Sequence, residues 1–565
     1  MDETVPLLDA TETAIRQAFL SAASVQGWDV AAQDIQIEIP RDPAHGNLAS
    51  ATPLSLAGKL KKNPREIAEV LSEAVTCELV DSGIPLDRIE VAGPGFLNFY
   101  MKPEWLEQGL VEVQNESGDY GSSDRMSDAE ILFEFVSANP TGPLNVVSAR
   151  AAATGDVLAA LCAAAGARVG REFYVNDTGR QVRLLGMSLE TRVRQQLGEE
   201  AEIPENGYNG DYLIDMASDF LSEGLPAWWK SDEEEKRIAK LSEWAVEQVL
   251  VLQKEALETF GLRFDTWFRE SSLYEAGSVD NTLDELKSRG YIFDSEGAVW
   301  FRSTDFGDEK DRVLITGDGR ATYLLPDIAY HRDKFKRGWK TLVDLWGPDH
   351  HGYIARMHAA LQALDHQEDS FRVLIVQQVN LLRSGEVVKM SKRAGLTIEM
   401  NELVEEVGRD AARFFFLMRG TSTHLDFDLD LAVTHNDENP VFYVQYAHAR
   451  ICSIIRKAEE EGIDVKREVD GADLSLLSAS EERALLRTIV EFPCVVADSA
   501  EAFEPHRIPA YLRELASGFH PFYHNHRVVG ATDGLQAARL ALCLSVRQVL
   551  ANGLGMLGVS APEKM

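Results

Sequence analysis

Residues 131–150 read ILFEFVSANPTGPLNVVSAR, and this stretch decides the fold. Ile131–Val136 is an apolar run of strand length, Ser137–Leu144 holds Pro140, Gly142 and Pro143, and Val146–Ala165 is a long helix of small residues. A strand, a Gly/Pro turn and a helix open a βαβ unit. The helix start offers N–H groups and a positive dipole end to phosphate, and ligands of open parallel sheets sit in that crevice. A plain strand-to-helix connection has the same pattern, so the stretch does not decide function.

Outward from it, strands at Glu172–Val175, Thr341–Leu345 and Arg372–Gln377 are separated by helical patterns at Ile238–Phe260 and Ile354–Leu364. This alternation predicts a doubly wound parallel sheet, Rossmann-like, over residues 125–425, with a polar, acidic insertion at 199–234. Upstream, residues 1–115 read as a small α/β domain. It has helices at Thr11–Ala23 and Pro64–Leu79 and a strand pair at Ile89–Phe99 bent at Gly93-Pro94-Gly95, and the polar run Asn115–Asp128 follows as a linker. Beyond Asn439-Pro440 helix follows helix to Leu557, which predicts an all-α domain over 436–565. The expected class is α/β, with the parallel sheet between a small α/β and a helical domain.

The chain has 565 residues, with 56 Lys and Arg against 91 Asp and Glu, a formal charge of −35. Such a surface repels polyanions at long range, so nucleic acid must meet local basic patches. Two are visible: Lys59, Lys61, Lys62 and Arg65 near the N-terminus, and the region from 505 onward, where six basic residues face three acidic ones. Five scattered cysteines without a C-x-x-C pair argue against a disulfide framework and a Cys-rich zinc site. The N-terminus is acidic and no uninterrupted apolar run nears 18 residues, so a soluble, cytoplasmic protein without membrane contact is expected.

Gly553, Gly555 and Gly558 satisfy G-x-G-x-x-G, but no βαβ unit follows them. Gly58-Lys59 precedes Leu60, so that pair opens no Walker A loop. ATP chemistry would need another device, and VKMSKRAG (Val388–Gly395) supplies one. Two lysines three apart on a loop can neutralise a leaving pyrophosphate, although a solvated basic turn looks the same. Asp349-His350-His351 lies beyond a strand end and lacks spaced partner ligands. It reads as a polar cluster touching nucleotide rather than a metal site.

Taken in order, these motifs resemble the bacterial arginyl-tRNA synthetase family, class I, along nearly the whole chain. AHGNLA (Ala44–Ala49), KKNPREIAE (Lys61–Glu69) and VAGPGFLNF (Val91–Phe99) are similar to its N-terminal domain. FYVNDTGRQ (Phe173–Gln181), FDTWF (Phe264–Phe268), YLLPDIAYHRDKFKRG (Tyr323–Gly338), WGPDHHGYIARM (Trp346–Met357) and KMSKRAG are similar to its catalytic domain. NPVFYVQYAHARI (Asn439–Ile451) and the last 19 residues are similar to its helical anticodon-binding end.

The resemblance implies attack of L-arginine on ATP, bound as its Mg²⁺ complex with no tightly held metal, and transfer of the arginyl group to the 3′ end of tRNA-Arg. A monomer is implied too. By match to family positions, Glu134, Asn139, Tyr323 and Asp327 contact arginine. Pro143, Leu144, Asn145, Ser148, Asp349, His350, His351, Lys389, Met390, Ser391 and Lys392 line the ATP side, with Lys389, Lys392, Asn145 and Ser148 catalytic. Lys61, Lys62, Arg65, Arg527, Arg539 and Arg547 are candidate tRNA contacts.

One departure is plain. The family's His-x-Gly-His signature is here Asn145-Val146-Val147-Ser148, which keeps hydrogen-bonding groups but no imidazole. Losing one transition-state donor costs about 10²–10³ in rate. The sequence therefore leaves three functions open: a working arginine–tRNA ligase, a derived module that binds arginine or tRNA with little adenylation, or an adenylating enzyme with another acceptor.

Overall fold

The computed structural model describes residues 5–40, 42–222, 224–231, 233–388, 398–532 and 534–565. At its centre lie five strands: β1 (Glu130–Glu134), β2 (Arg168–Val175), β3 (Thr266–Arg269), β4 (Thr341–Trp346) and β5 (Phe371–Ile375). They stand in the order β5-β4-β1-β2-β3, every pair parallel. The order doubles back across β1, so the crevice after β1 is the topological switch point where such sheets hold ligands. β3 was not expected as a strand, because TWFR is too short to show a period of two.

Four helices matter for the site: α1 (Val146–Ala164), α2 (Gly179–Gln196), α3 (Glu234–Thr259) and α4 (Leu324–Lys336). α1 packs so close to the segment after β1 that a Cβ on Gly155 would lie 2.3 Å from the Phe135 ring. α1 is also long and apolar enough to cross a membrane, which the sequence reading did not anticipate, but 67% of that window is buried inside the protein.

The expected insertion at 199–234 is not merely solvated. Its helix Tyr212–Ser222 buries Leu213, Met216, Ala217 and Phe220 at helical spacing, and packs on α2. The acidic residues between those positions hid the pattern. Two small sheets were also missed. One is antiparallel (Ile292–Ser295, Ala298–Phe301, Arg312–Ile315) and leads into α4. In the other, Val379–Arg383 pairs with Glu386–Val387 and with Leu425–Asp428, on either side of residues 389–397.

The N-terminal segment pairs Leu48–Ser50, Phe96–Met101 and Leu86–Ala92 under helices Leu7–Val25 and Pro64–Asp81, with the turn after Ala92 where Gly93-Pro94-Gly95 predicted it. The C-terminal segment is α5 (Pro440–Glu460), α6 (Ser480–Glu501), α7 (Arg507–Asn525) and α8 (Leu535–Met556). Arg125, between β1 and the N-terminal segment, ties the pieces together through Asp498 (2.9 Å) and Glu501 (3.0 Å) of α6 and Asp9 (3.7 Å).

Candidate active site

Register across the sheet sets the first feature. Asp344 of β4 lies opposite Glu134 of β1, which lies opposite Glu172 of β2. Three in-register carboxylates on adjacent strands repel one another and are buried, which is tolerable only with matched cations. α4 supplies them. Lys334, with no exposure, places Nζ 2.5 Å from Glu134 Oε2 and 3.0 Å from Asp344 Oδ1. Arg337 grips Glu172 with both terminal nitrogens, at 2.6 and 2.8 Å, and the Tyr330 hydroxyl donates to it at 2.7 Å. Burial acts against the charge on Lys334, but Asp344 and Glu134 outweigh it and raise its pKa. Burial works against the Asp344 carboxylate as well, yet Lys334 and His331 outweigh it and hold its pKa low.

Glu134, His331 and Asp344 form the one described group spaced to hold a metal ion. The Lys334 ammonium already sits between its two carboxylates, so these residues do not fit a cation there. The group is not the Asp349-His350-His351 run weighed from sequence.

Above the row two carboxylates are left without a cation. Asp327, in the first turn of α4, accepts from the Tyr353 hydroxyl at 2.7 Å. Its pKa is raised to about 6, first by burial and then by the charges of Glu134 and Glu270. Glu270 follows β3 and is 8% exposed. It accepts from Thr178 Oγ1 at 3.0 Å and from the Tyr274 hydroxyl at 3.4 Å, and burial raises its pKa. Neither carboxylate forms an ion pair among the described residues. Tyr174 and Tyr330 (ring centroids 4.5 Å apart) and Phe268 (4.7 Å from Tyr330) pack beside them. One buried and one half-buried carboxylate beside aromatic rings, with hydroxyl partners but no cation among the described residues, suit a planar, doubly bidentate cation.

Of the expected arginine contacts, Asp327 is in this pocket. Glu134 lies beneath it, with Oε2 on Lys334 and Oε1 on the Ser137 hydroxyl at 2.9 Å, so neither oxygen is idle. Asn139 is exposed on the turn after β1, and Tyr323 is 82% exposed at the rim. That turn is strained: Val136 and Ser137 have φ of 69° and 37°, a conformation side chains resist at a cost of about 1–3 kcal/mol each. Ser137 is held there by Glu134 and by the Tyr174 N–H, which donates to its Oγ at 3.1 Å. Glu270 and Lys334 were missed. Glu270 stands in RESSLYE like any acid opening a helix, and Lys334 stands in a basic run that reads as solvated.

On the nucleotide side the structure corrects one expectation. The N-terminus of α1 does not present idle N–H groups. Asn145 caps it, its Oδ1 accepting from Val147 N at 3.0 Å and Ser148 N at 3.1 Å, while Val146 N donates to Ile398 O at 3.4 Å. Leu144 is buried, and its carbonyl accepts from Met400 N at 2.8 Å. The first signature is thus stitched to the chain just past residue 397. Pro143 is half-buried beside it, and Val147 is 39% exposed, pointing away from the core. Arg150, two residues beyond Ser148 and without exposure, donates to the carbonyls of Gln377 (2.8 Å), Gly420 (3.1 Å) and Thr423 (2.9 Å). It thereby ties α1 to the segments that lead into both parallel strands of the small sheet. Asp349, His350 and His351 are exposed in the one-turn helix Pro348–Tyr353 after β4. Lys389, Met390, Ser391 and Lys392 lie outside the described residues.

The basic candidates separate as well. Lys61 and Lys62 are exposed without an ion pair among the described residues, Lys62 lying 5.0 Å from the Trp28 ring, whereas Arg65 pairs with Glu69 at 3.4 Å. Arg539 is not available to RNA: its pair with Glu482 (2.7 Å) is nearly buried, and it also donates to Arg527 O at 2.8 Å. Arg527 is spent on Val529 O at 2.9 Å, and Arg547 is half-buried near Cys452. Sequence charge could not show this, because a cation's partner comes from another helix. Phe442, Tyr443, Tyr446, Arg450, His520 and Tyr523 instead line an open cleft of about 610 Å³ between α5 and α7.

Residues 112–417 match the family described as tRNA synthetases class I (R), catalytic domain. Residues 9–101 match the arginyl tRNA synthetase N terminal domain, and 444–565 match the DALR anticodon binding domain. The chain belongs to the arginyl-tRNA synthetase family. Among curated relatives, the arginine–tRNA ligase of Desulforudis audaxviator is 46% identical over 557 residues, 98% of this chain and 98% of that protein. The arginine–tRNA ligase of Desulforamulus reducens is 44% identical over 532 residues, 94% of each. In fold, the solved Thermus thermophilus arginyl-tRNA synthetase matches with a TM-score of 0.75, at 23% identity, over 98% of this chain and all of that one. Within this family the two unpaired carboxylates read as half of an ion pair.

Proposed function

We propose that this synthetase-family chain is an arginine–tRNA ligase, in which Asp327 and Glu270 clasp the guanidinium of L-arginine. The observation that carries the reading is that buried Glu270 and half-buried Asp327 share one pocket with no cation paired to either among the described residues. A five-donor guanidinium fork satisfies two such carboxylates at once, whereas a lysine ammonium leaves acceptors unmet, at about 1–3 kcal/mol each. Tyr323 covers the rim, and Asn139, on the strained turn, faces the backbone end of the amino acid. Glu134 acts from below.

Arginine's carboxylate oxygen attacks the α-phosphorus of Mg²⁺-bound ATP, pyrophosphate leaves, and arginyl-adenylate forms. A ribose hydroxyl of the terminal tRNA nucleotide then attacks the arginyl carbonyl, and AMP departs. Pro143, Leu144, Asn145 and Ser148 take one side of the nucleotide and Asp349, His350 and His351 the other. Lys389 and Lys392 offset the charge on the leaving pyrophosphate, with Met390 and Ser391 carrying the backbone between them. The Asn145 amide nitrogen and the Ser148 hydroxyl stand where the family has imidazoles. Residues 1–115 meet tRNA through Lys61, Lys62 and Arg65, residues 125–425 hold the chemistry, and residues 436–565 stack bases of the anticodon loop in the aromatic cleft. In this reading the enzyme works as a cytoplasmic monomer.

Arginine-dependent ATP–pyrophosphate exchange, run with and without tRNA-Arg, tests it. Exchange that requires arginine and is unmoved by citrulline, the neutral isostere, is expected. Tight tRNA binding with no exchange under either condition would instead mark a binding module.

A further inference from the structure

α4 carries Asp327, His331 and Lys334 at i, i+4 and i+7, one stripe along the helix. A hydrogen-bonded chain runs along that stripe. The Lys334 ammonium joins Glu134 of β1 to Asp344 of β4, and Asp344 Oδ2 lies 2.8 Å from His331 Nε2. His331 Nδ1 lies 2.8 Å from the main-chain oxygen of Asp327. Glu134, Lys334, Asp344 and His331 are buried, and the last link, to Asp327, is half-buried. The helix that presents the guanidinium-facing carboxylate is thus fastened to the sheet by a charge network rather than by apolar contact alone. Hydrogen bonds of this kind fix distance and angle, where hydrophobic contact tolerates sliding.

We propose that Lys334 is a positioning residue for arginine selection. Its buried ammonium neutralises the Asp344–Glu134 part of the acidic row, and through Asp344 and His331 it sets the height and rotation of Asp327 over the crevice. Lys334 touches no substrate. Its influence passes to the amino-acid side of the site and bypasses the nucleotide side, whose residues lie on α1 and beyond β4. The inference rests on Asp327 being the arginine contact.

The test is steady-state aminoacylation by Lys334→Met, with tRNA-Arg present, varying arginine and ATP separately. A misplaced Asp327 is expected to raise the KM for arginine by roughly tenfold or more. The KM for ATP and the kcat per titrated active site should stay within about threefold of wild type. Lost folding would reduce the number of active sites and leave both KM values alone. Because Lys334→Met strands two buried carboxylates, Lys334→Met with Asp344→Asn serves as the second variant. It carries one fewer buried charge, and the raised arginine KM is expected to persist. An arginine KM within twofold of wild type in either folded variant overturns the proposal, as does an equal rise in both KM values. Asp327→Asn separates the two readings: if it leaves the arginine KM unchanged, the pocket assignment fails, whatever Lys334 does.

Discussion

Replacing Asp327 with Asn separates what the pocket gains from its ligand and what it costs the empty protein. The folded carboxyl titrates near 6 rather than 3.8, chiefly because it is buried and faces Glu134 and Glu270. A raised folded value favours the protonated form, so the stability it confers is complete below the unfolded value and is lost as pH rises through the folded one. Two pKa units correspond to roughly 3 kcal/mol, so at pH 8 the ionised carboxylate should destabilise the unliganded protein by about 2–4 kcal/mol. Asn keeps the acceptor for Tyr353 and removes the charge. Thermal unfolding by calorimetry or fluorimetry should therefore show Asp327→Asn more stable than wild type at pH 8. The gap should narrow as pH falls through about 6 and close below about 3.8, where the wild-type group is neutral in both states. The same substitution removes charge-assisted bonds to the guanidinium worth about 1.5–3 kcal/mol each, so the arginine KM should rise roughly 10²-fold or more. A variant no more stable at pH 8, or one whose advantage is the same at every pH, refutes the reasoning.

Wild-type enzyme should bind arginine more weakly as pH drops through about 6, where Asp327 takes up its proton. Arginine KM measured from pH 5 to 8 checks this, and a flat profile counts against the pocket. Glu270→Gln should raise the arginine KM by about 10-fold to 100-fold, reflecting one lost charged bond or two, with the ATP KM unchanged in the same assay. Asn145→Ala removes the cap on α1 and should cost about 1 kcal/mol of stability by denaturant titration, whatever its effect on turnover. Lys61→Ala with Lys62→Ala should weaken tRNA binding more at low salt than at high salt and flatten the log Kd against log salt plot by up to about two units of slope. An unaltered slope would place the N-terminal segment off the RNA.

The central sheet was legible because β1, β4 and β5 are mostly apolar runs and because a Gly/Pro turn follows β1, whereas only the last half of β2 (RVGREFYV) stood out. The motif YLLPDIAYH singles out Asp327, which the structure places near Glu270. The rest of the pocket was not, for reasons of register. That Asp344, Glu134 and Glu172 form one row depends on how three strands separated by tens to hundreds of residues slide past one another, and no local pattern encodes it. Lys334 sits in HRDKFKRG, where five of eight residues are charged, and only the packing of α4 shows that this lysine points inward while Lys336 does not. The same limit hides the partner of Arg539, since Glu482 lies on another helix. Charge composition shows where basic residues cluster in the chain but not which of them are already bonded within the fold.

The cover over α1 has a consequence for biosynthesis. Part of its apolar surface is capped by α6, and the Cys162 thiol lies against the carbonyl of Ala500 there. Those capping residues are translated more than 300 positions after the helix itself. Until they emerge, the nascent polypeptide carries a largely apolar helix with part of its surface uncovered, the kind of intermediate that chaperones hold. A ribosome stalled anywhere between the two would release a product that sticks to its neighbours rather than a smaller working enzyme.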